Sequence, residues 1–142
     1  MRKYFFPAAL LLLFLQAFQN PVATLHLHLD GIKSARGVIR IYLFNNPDNF
    51  PVKKDLAFRK ITLSPGKADD VELKNIPYGT YALSIFQDLN NNGKMDRTWF
   101  GMPGEPYAVS GRPVVRFGPP WFSDCSFRID RPDVYLNLKI KD

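Results

Sequence analysis

The chain holds one cysteine, Cys125, and two histidines, His26 and His28, in 142 residues. A single thiol excludes an internal disulfide, so the fold must be held by an apolar core and, if the sequence supplies a site, by a metal. Two histidines on one short segment cannot complete a transition-metal site without a third ligand, and no other histidine exists. G-x-S-x-G, H-E-x-x-H and a phosphate-cradling glycine loop are all absent, which removes the common hydrolase and nucleotide-handling signatures. What composition leaves is Cys125, beside Asp124, as a nucleophile with His26 or His28 as base. The alternating pattern around Cys125 instead favours a buried, inert thiol. The expectation is a non-catalytic protein. A dense basic cluster is also missing, since Lys53, Lys54, Arg59, Lys60, Arg112, Arg116, Arg128, Arg131, Lys139 and Lys141 are scattered. Nucleic acid is therefore not an expected partner.

What is present begins with an address. Met1-Arg2-Lys3 is a short basic start, and Tyr4 to Phe18 is an apolar run broken by Pro7 and Gln16. Polar Gln19-Asn20 and small Ala23 and Thr24 follow, the pattern of a secretory signal peptide. The run is short of the roughly 18 to 20 apolar residues that span a membrane. The expected organisation is a signal peptide at 1–23, cut between Ala17 and Thr24, and one domain at 24–142. Loss of Arg2 and Lys3 takes the formal net charge from +6 to +4. The mature protein is expected in the periplasm or outside the cell, with no transmembrane segment.

Periodicity then predicts strands. Thr24 to Asp30 alternates Leu with His, which puts three leucines inward and two histidines outward. Val38 to Phe44 is a more fully apolar strand, and the spacing predicts a hairpin with the first. Leu56 to Leu63 reads as a strand, with a short helical turn within Val52 to Phe58 as the alternative. Asp70 to Ile76 and Tyr81 to Phe86 alternate in the same way. Two more strands, Cys125 to Ile129 and Val134 to Ile140, flank a turn at Asp130-Arg131-Pro132-Asp133. No amphipathic helix follows residue 23. About seven short strands without helices predict an all-β sandwich.

The segment after Phe86 carries the chemistry. Asp88-Leu89-Asn90-Asn91-Asn92-Gly93-Lys94-Met95-Asp96 sets oxygen-bearing side chains at positions 1, 3, 5 and 9 and glycine at position 6, the ligand rhythm of a calcium loop. Asp88 and Asp96 would supply charge, Asn90 and Asn92 neutral oxygens, and Lys94 its carbonyl. Position 12 holds Trp99 where an EF-hand has a bidentate Glu, so the site is strand-borne and weak, with a Kd of roughly 10⁻⁴ to 10⁻³ M. Glu105 or Asp124 is the candidate for the missing ligand. The competing reading is a hydrogen-bonded Asx-turn loop without an ion. From Arg97 to Pro120 the chain is rich in Gly, Pro and aromatics and is expected to be a long, ordered loop. Trp99, Phe100, Tyr107, Trp121 and Phe122 form a candidate contact surface for a protein, peptide or glycan. The alternative is that these rings cap the core.

The order of Phe50-Pro51, Pro77-Tyr78-Gly79-Thr80-Tyr81-Ala82, Asp88 to Asp96, Gly101-Met102-Pro103 and Phe117-Gly118-Pro119-Pro120, with Asp124 and Phe127 after it, resembles the bacterial secreted family called domain of unknown function 2141. The likeness runs from about Leu25 to Ile140. It implies an immunoglobulin-like or prealbumin-like β-sandwich of the bacterial envelope, without an assigned activity. The family pattern often places histidine just before the loop aspartate, where this chain has Gln87, so no role of that histidine carries over. Hydrolysis of small cyclic ureides, known on prealbumin-like sandwiches, needs histidines and a C-terminal tetrapeptide that Lys139-Ile140-Lys141-Asp142 does not match.

Overall fold

The structure is a computed structural model that describes residues 20–114 and 117–142. Nearly all of the expected signal peptide lies outside the described residues. The described fold begins inside the expected cleavage stretch, because strand β1 (Val22–Asp30) takes in Val22 and the buried Ala23. Seven further strands follow: β2 (Val38–Phe44), β3 (Arg59–Leu63), β4 (Asp70–Pro77), β5 (Gly79–Asp88), β6 (Tyr107–Val109), β7 (Phe127–Ile129) and β8 (Asp133–Lys139). One short helix, α1 (Phe122–Cys125), precedes β7. The architecture is the expected all-β sandwich, with eight strands among the described residues where about seven are expected.

The smaller sheet has the order β4-β1-β8, with β1 antiparallel to β4 and parallel to β8. The larger sheet runs β3-β2-β5-β6, and β7 also pairs with β5. Leu25, Leu27 and Leu29 of β1 face Ile39, Ile41, Leu43, Leu83 and Ile85 across the interior, all at most 2% exposed. Each such side chain contributes about 1.5–3 kcal/mol when fully buried.

The hairpin expected between β1 and β2 does not form. β1 pairs with β4 and β8, whereas β2 lies between β3 and β5 in the opposite sheet. The reason is burial. β1 alternates and has one covered face, which suits the smaller sheet. β2 is apolar on both sides: Ile39, Ile41 and Leu43 enter the inner core, and Tyr42 and Phe44 enter a second cluster on the outer side. A strand apolar on both faces belongs in the larger sheet, whose outer face is packed as well as its inner one. β7 and β8 are likewise split between sheets, although they flank the expected turn.

Other boundaries moved for local reasons. The strand expected from Leu56 starts at Arg59, and Lys54–Leu56 forms the alternative short helical turn. Cys125 closes α1 rather than opening a strand. β6 lies in the stretch expected to be irregular. It covers only part of β5: β7 pairs with residues 79–81 and β6 with residues 84–86. Ser110 fills the gap, since its Oγ accepts from Leu83 N (2.8 Å) and donates to the Cys125 carbonyl (2.6 Å) while fully buried.

Candidate functional site: the cover of the larger sheet

β5 alternates sharply. Tyr81, Leu83 and Ile85 join the inner core, and Ala82 and Phe86 join the outer cluster. Asp88 ends the strand on the outer side with no exposed side-chain surface. Its Oδ2 accepts from Arg40 Nε at 2.6 Å and Gly93 N at 2.8 Å, and its Oδ1 accepts from Asn92 N at 3.0 Å. Burial pushes this carboxyl up, but the Arg40 hydrogen bond, the two main-chain N–H groups and the Arg40 charge outweigh it and hold the pKa below the usual value. Gly37 sits against this strand end at φ +69°, where a Cβ would lie 2.0 Å from the Asp88 carbonyl oxygen.

The other loop side chains close on one another. Asn90 Nδ2 and Asn92 Nδ2 donate to the two oxygens of Asp96, at 2.7 and 2.8 Å. Asn90 Oδ1 accepts from Asn92 N and Asn92 Oδ1 from Lys94 N, which are Asx turns. Asn91 and Gly93 take positive φ, 58° and 80°. Glu105 does fold back on the loop, where its two oxygens accept from Leu89 N and Asp96 N. Asp124 instead lies beside Gly111, its carbonyl accepting from Arg112 N. The predicted residues Asp88, Asn90, Asn92 and Asp96 thus come together with Lys94 between them. As a donor set they match calcium in chemistry, with two carboxylates and two amide oxygens. A cation would compete with Arg40 for Asp88, and among the described residues no three His, Cys, Asp or Glu side chains group as metal ligands.

Arg40, Tyr42 and Lys54 were not singled out from sequence, yet they complete this region. The Lys54 ammonium lies 3.9 Å from the Phe86 ring centroid and 5.6 Å from that of Tyr42. Burial, then the Arg97 charge, lowers its pKa to about 8. Arg40 had a visible signal: it is the one charge inside the apolar run Val38–Phe44. Lys54 had none.

Residues 97–103 form a small hairpin. Arg97 bridges Pro103, Thr98 N donates to the Met102 carbonyl, and Gly101 N donates to that of Thr98. Arg97 Nη1 donates to the Gly101 carbonyl across it. Its tip presents Trp99, Phe100 and Met102, which are 88%, 62% and 63% exposed. The Trp99 and Phe100 rings touch at a tilt of 38°, with centroids 3.6 Å apart. The five predicted contact residues therefore divide. Trp99, Phe100 and Trp121 are exposed, whereas Tyr107 and Phe122 pack on the outer cluster, Phe122 edge-on to Phe50.

The histidines lie outward, as expected, on the opposite side of the sandwich. His26 stacks on Tyr135 and contacts Asp133 and Glu72, and His28 contacts Asp70 and Asp30. They line a shallow groove of about 280 Å³. Cys125 is fully buried in the outer cluster, its pKa pushed up to about 11 by burial and Asp124. The sandwich separates this thiol from both histidines, so the imagined nucleophile–base pair is not assembled.

Fold and site define a two-sheet β-sandwich whose larger sheet is covered on its outer side by Phe50, Met95, Tyr107 and Phe122, with a latched loop and an exposed aromatic-tipped hairpin beside them. The chain belongs to the family described as "uncharacterized protein conserved in bacteria" (DUF2141), which matches residues 27–137. No curated protein matches the chain, and no solved structure does. Among the described residues no helix is long and apolar enough to cross a membrane.

Proposed function

We propose that this protein is an exported, non-catalytic binding module of the bacterial envelope, with its contact surface on the 97–103 hairpin. The observation that supports this most is the exposure of Trp99 and Phe100 on a hairpin anchored beside the Glu105 and Asp88 hydrogen bonds. Aromatic rings on a rigid support are the residues that dominate binding interfaces. A protein, peptide or glycan partner suits such a surface. The test is stability. Trp99→Ala combined with Phe100→Ala should leave the unfolding free energy within about 0.5 kcal/mol of the parent. A loss of several kcal/mol would mean that the rings serve the fold, and the reading would fail.

A second reading concerns calcium. What favours it is that the loop brings Asp88, Asn90, Asn92 and Asp96 within reach of one another, and a turn of the two amides away from donating to Asp96 would offer the oxygens that a hard cation gathers. The ion would order the loop rather than take part in a reaction. With a dissociation constant in the extracellular range, calcium at 10 to 100 times that value adds about 1.4 to 2.7 kcal/mol to stability. Thermal unfolding in EDTA, calcium and magnesium reads this directly, and an unfolding midpoint indifferent to calcium would remove the ion.

A further inference from the structure

The hairpin tip is convex. Trp99, Phe100 and Met102 point away from the body on a turn of seven residues, 97–103, and contribute to neither buried cluster. A convex apolar tip needs a partner that can be indented, and a bilayer accepts one wherever it meets it. Tryptophan also favours the headgroup level of a membrane, where its ring is buried and its N–H stays hydrated.

Charge agrees. The hairpin 97–103 itself carries one charge, Arg97, and no carboxylate, with Asp96 before it and Glu105 after it. Glu105 is buried and holds two main-chain N–H groups. Of the nearby loop carboxylates, Asp88 is buried against Arg40, and Asp96 is held at the surface by the amides of Asn90 and Asn92. Lys54 rests on two rings, with the Glu105 and Asp88 charges near enough to act on it but no carboxylate among the described residues at ion-pair distance. Arg97 lies close enough to depress the Lys54 pKa. An ammonium and a guanidinium beside an apolar tip match phosphate oxygens above acyl chains.

We propose that the 97–103 hairpin seats in the headgroup layer of a bilayer carrying anionic lipid, with Trp99, Phe100 and Met102 below the phosphates and Arg97 and Lys54 against them. This rests on the hairpin being a contact surface and names lipid as what it contacts.

The experiment uses the full chain carrying Trp121→Phe, in which Trp99 is the sole tryptophan, with phosphatidylcholine vesicles and equimolar phosphatidylcholine–phosphatidylglycerol vesicles. On the anionic vesicles Trp99 emission should shift to the blue and be quenched by brominated acyl chains, with a much weaker response on the neutral ones. Lys54→Gln with Arg97→Gln should weaken the apparent affinity about thirty-fold, at roughly tenfold or less per charge. Urea midpoints of each variant confirm that it is folded. Co-sedimentation is no substitute, because the apolar run at 4–18 is itself able to hold a vesicle. Unchanged Trp99 emission, even with the protein on the vesicle, overturns the proposal, and so does an equal response on both lipids. Acrylamide separates the two levels: a Trp99 shielded from it in the free protein sinks the contact-surface reading as well, whereas an accessible Trp99 that ignores vesicles sinks only the lipid.

Discussion

Asp88→Ala removes the group on which the loop closes. The lost carboxylate is fully buried and accepts three hydrogen bonds, from Arg40, Asn92 and Gly93. Removing one partner of a buried ion pair costs about 3–5 kcal/mol, mostly because the other charge stays behind without compensation. The Arg40 side chain is 22% exposed, so water reaches part of it, and the lower end, about 3 kcal/mol, is the reasoned figure. For a domain of this size that lowers Tm by about 10–15 °C. Urea melts with an unchanged m-value, run in EDTA and again in calcium, measure it. A loss below about 1 kcal/mol in EDTA would refute the hydrogen-bond account. If the full loss appears only with calcium, Asp88 acts through an ion and the Arg40 pair is secondary. Arg40→Met with Asp88→Asn should recover part of the loss, since no charge is then stranded. The sign with pH follows from the depressed pKa of Asp88. Its stabilisation is complete above the unfolded carboxyl value, about 3.9, and disappears as pH falls through the folded one. The gap between parent and Asp88→Asn should therefore close in acid.

Ser110→Ala strands the Leu83 N–H and the Cys125 carbonyl in the interior, and a loss of about 1–3 kcal/mol is expected in the same melts. Gly37→Ala should cost about 3 kcal/mol or more, because both its positive φ and the Asp88 carbonyl oppose a Cβ. The hydrogen bond that His28 Nδ1 donates to the Asp70 carboxylate, opposed in part by desolvation, raises the pKa of His28 above 6.5. An NMR titration should show that, and Asp70→Asn should lower it. Any stability His28 adds is complete below the unfolded histidine pKa and fades as pH rises through the folded one.

The strands were legible because burial on one face or two leaves different patterns, and β1 and β5 read as they fold. The short connection between β1 and β2 points to a hairpin, but their patterns differ: Leu-His alternation suits a sheet with one covered face, and the unbroken Val-Ile-Arg-Ile-Tyr-Leu-Phe run suits a sheet covered on both. The loop was found from side chains in register with a ligand spacing. Its partners were not, since Arg40 is 48 residues from Asp88 in sequence and only the pairing of β2 with β5 brings them together. Three-residue β6 and β7 carry too few residues for periodicity, and their position depends on which parts of β5 remain unpaired.

The two outer faces of the sandwich explain why the aromatic segment holds two populations. The smaller sheet leaves its outer face to water, where His26 and His28 meet four carboxylates. The larger sheet carries Tyr42, Phe44 and Phe86 outward and requires a cover, which Phe50, Met95, Tyr107 and Phe122 supply. Those side chains answer to stability, and their truncation should unfold the protein without informing on function. Trp99, Phe100 and Met102 belong to the same covering segment but cover nothing. Single exposed apolar residues are ordinary on protein surfaces, whereas three on one turn, two of them with their rings in contact, form a patch. The patch contributes to neither buried cluster, so its truncation probes the proposed contact surface without removing core packing.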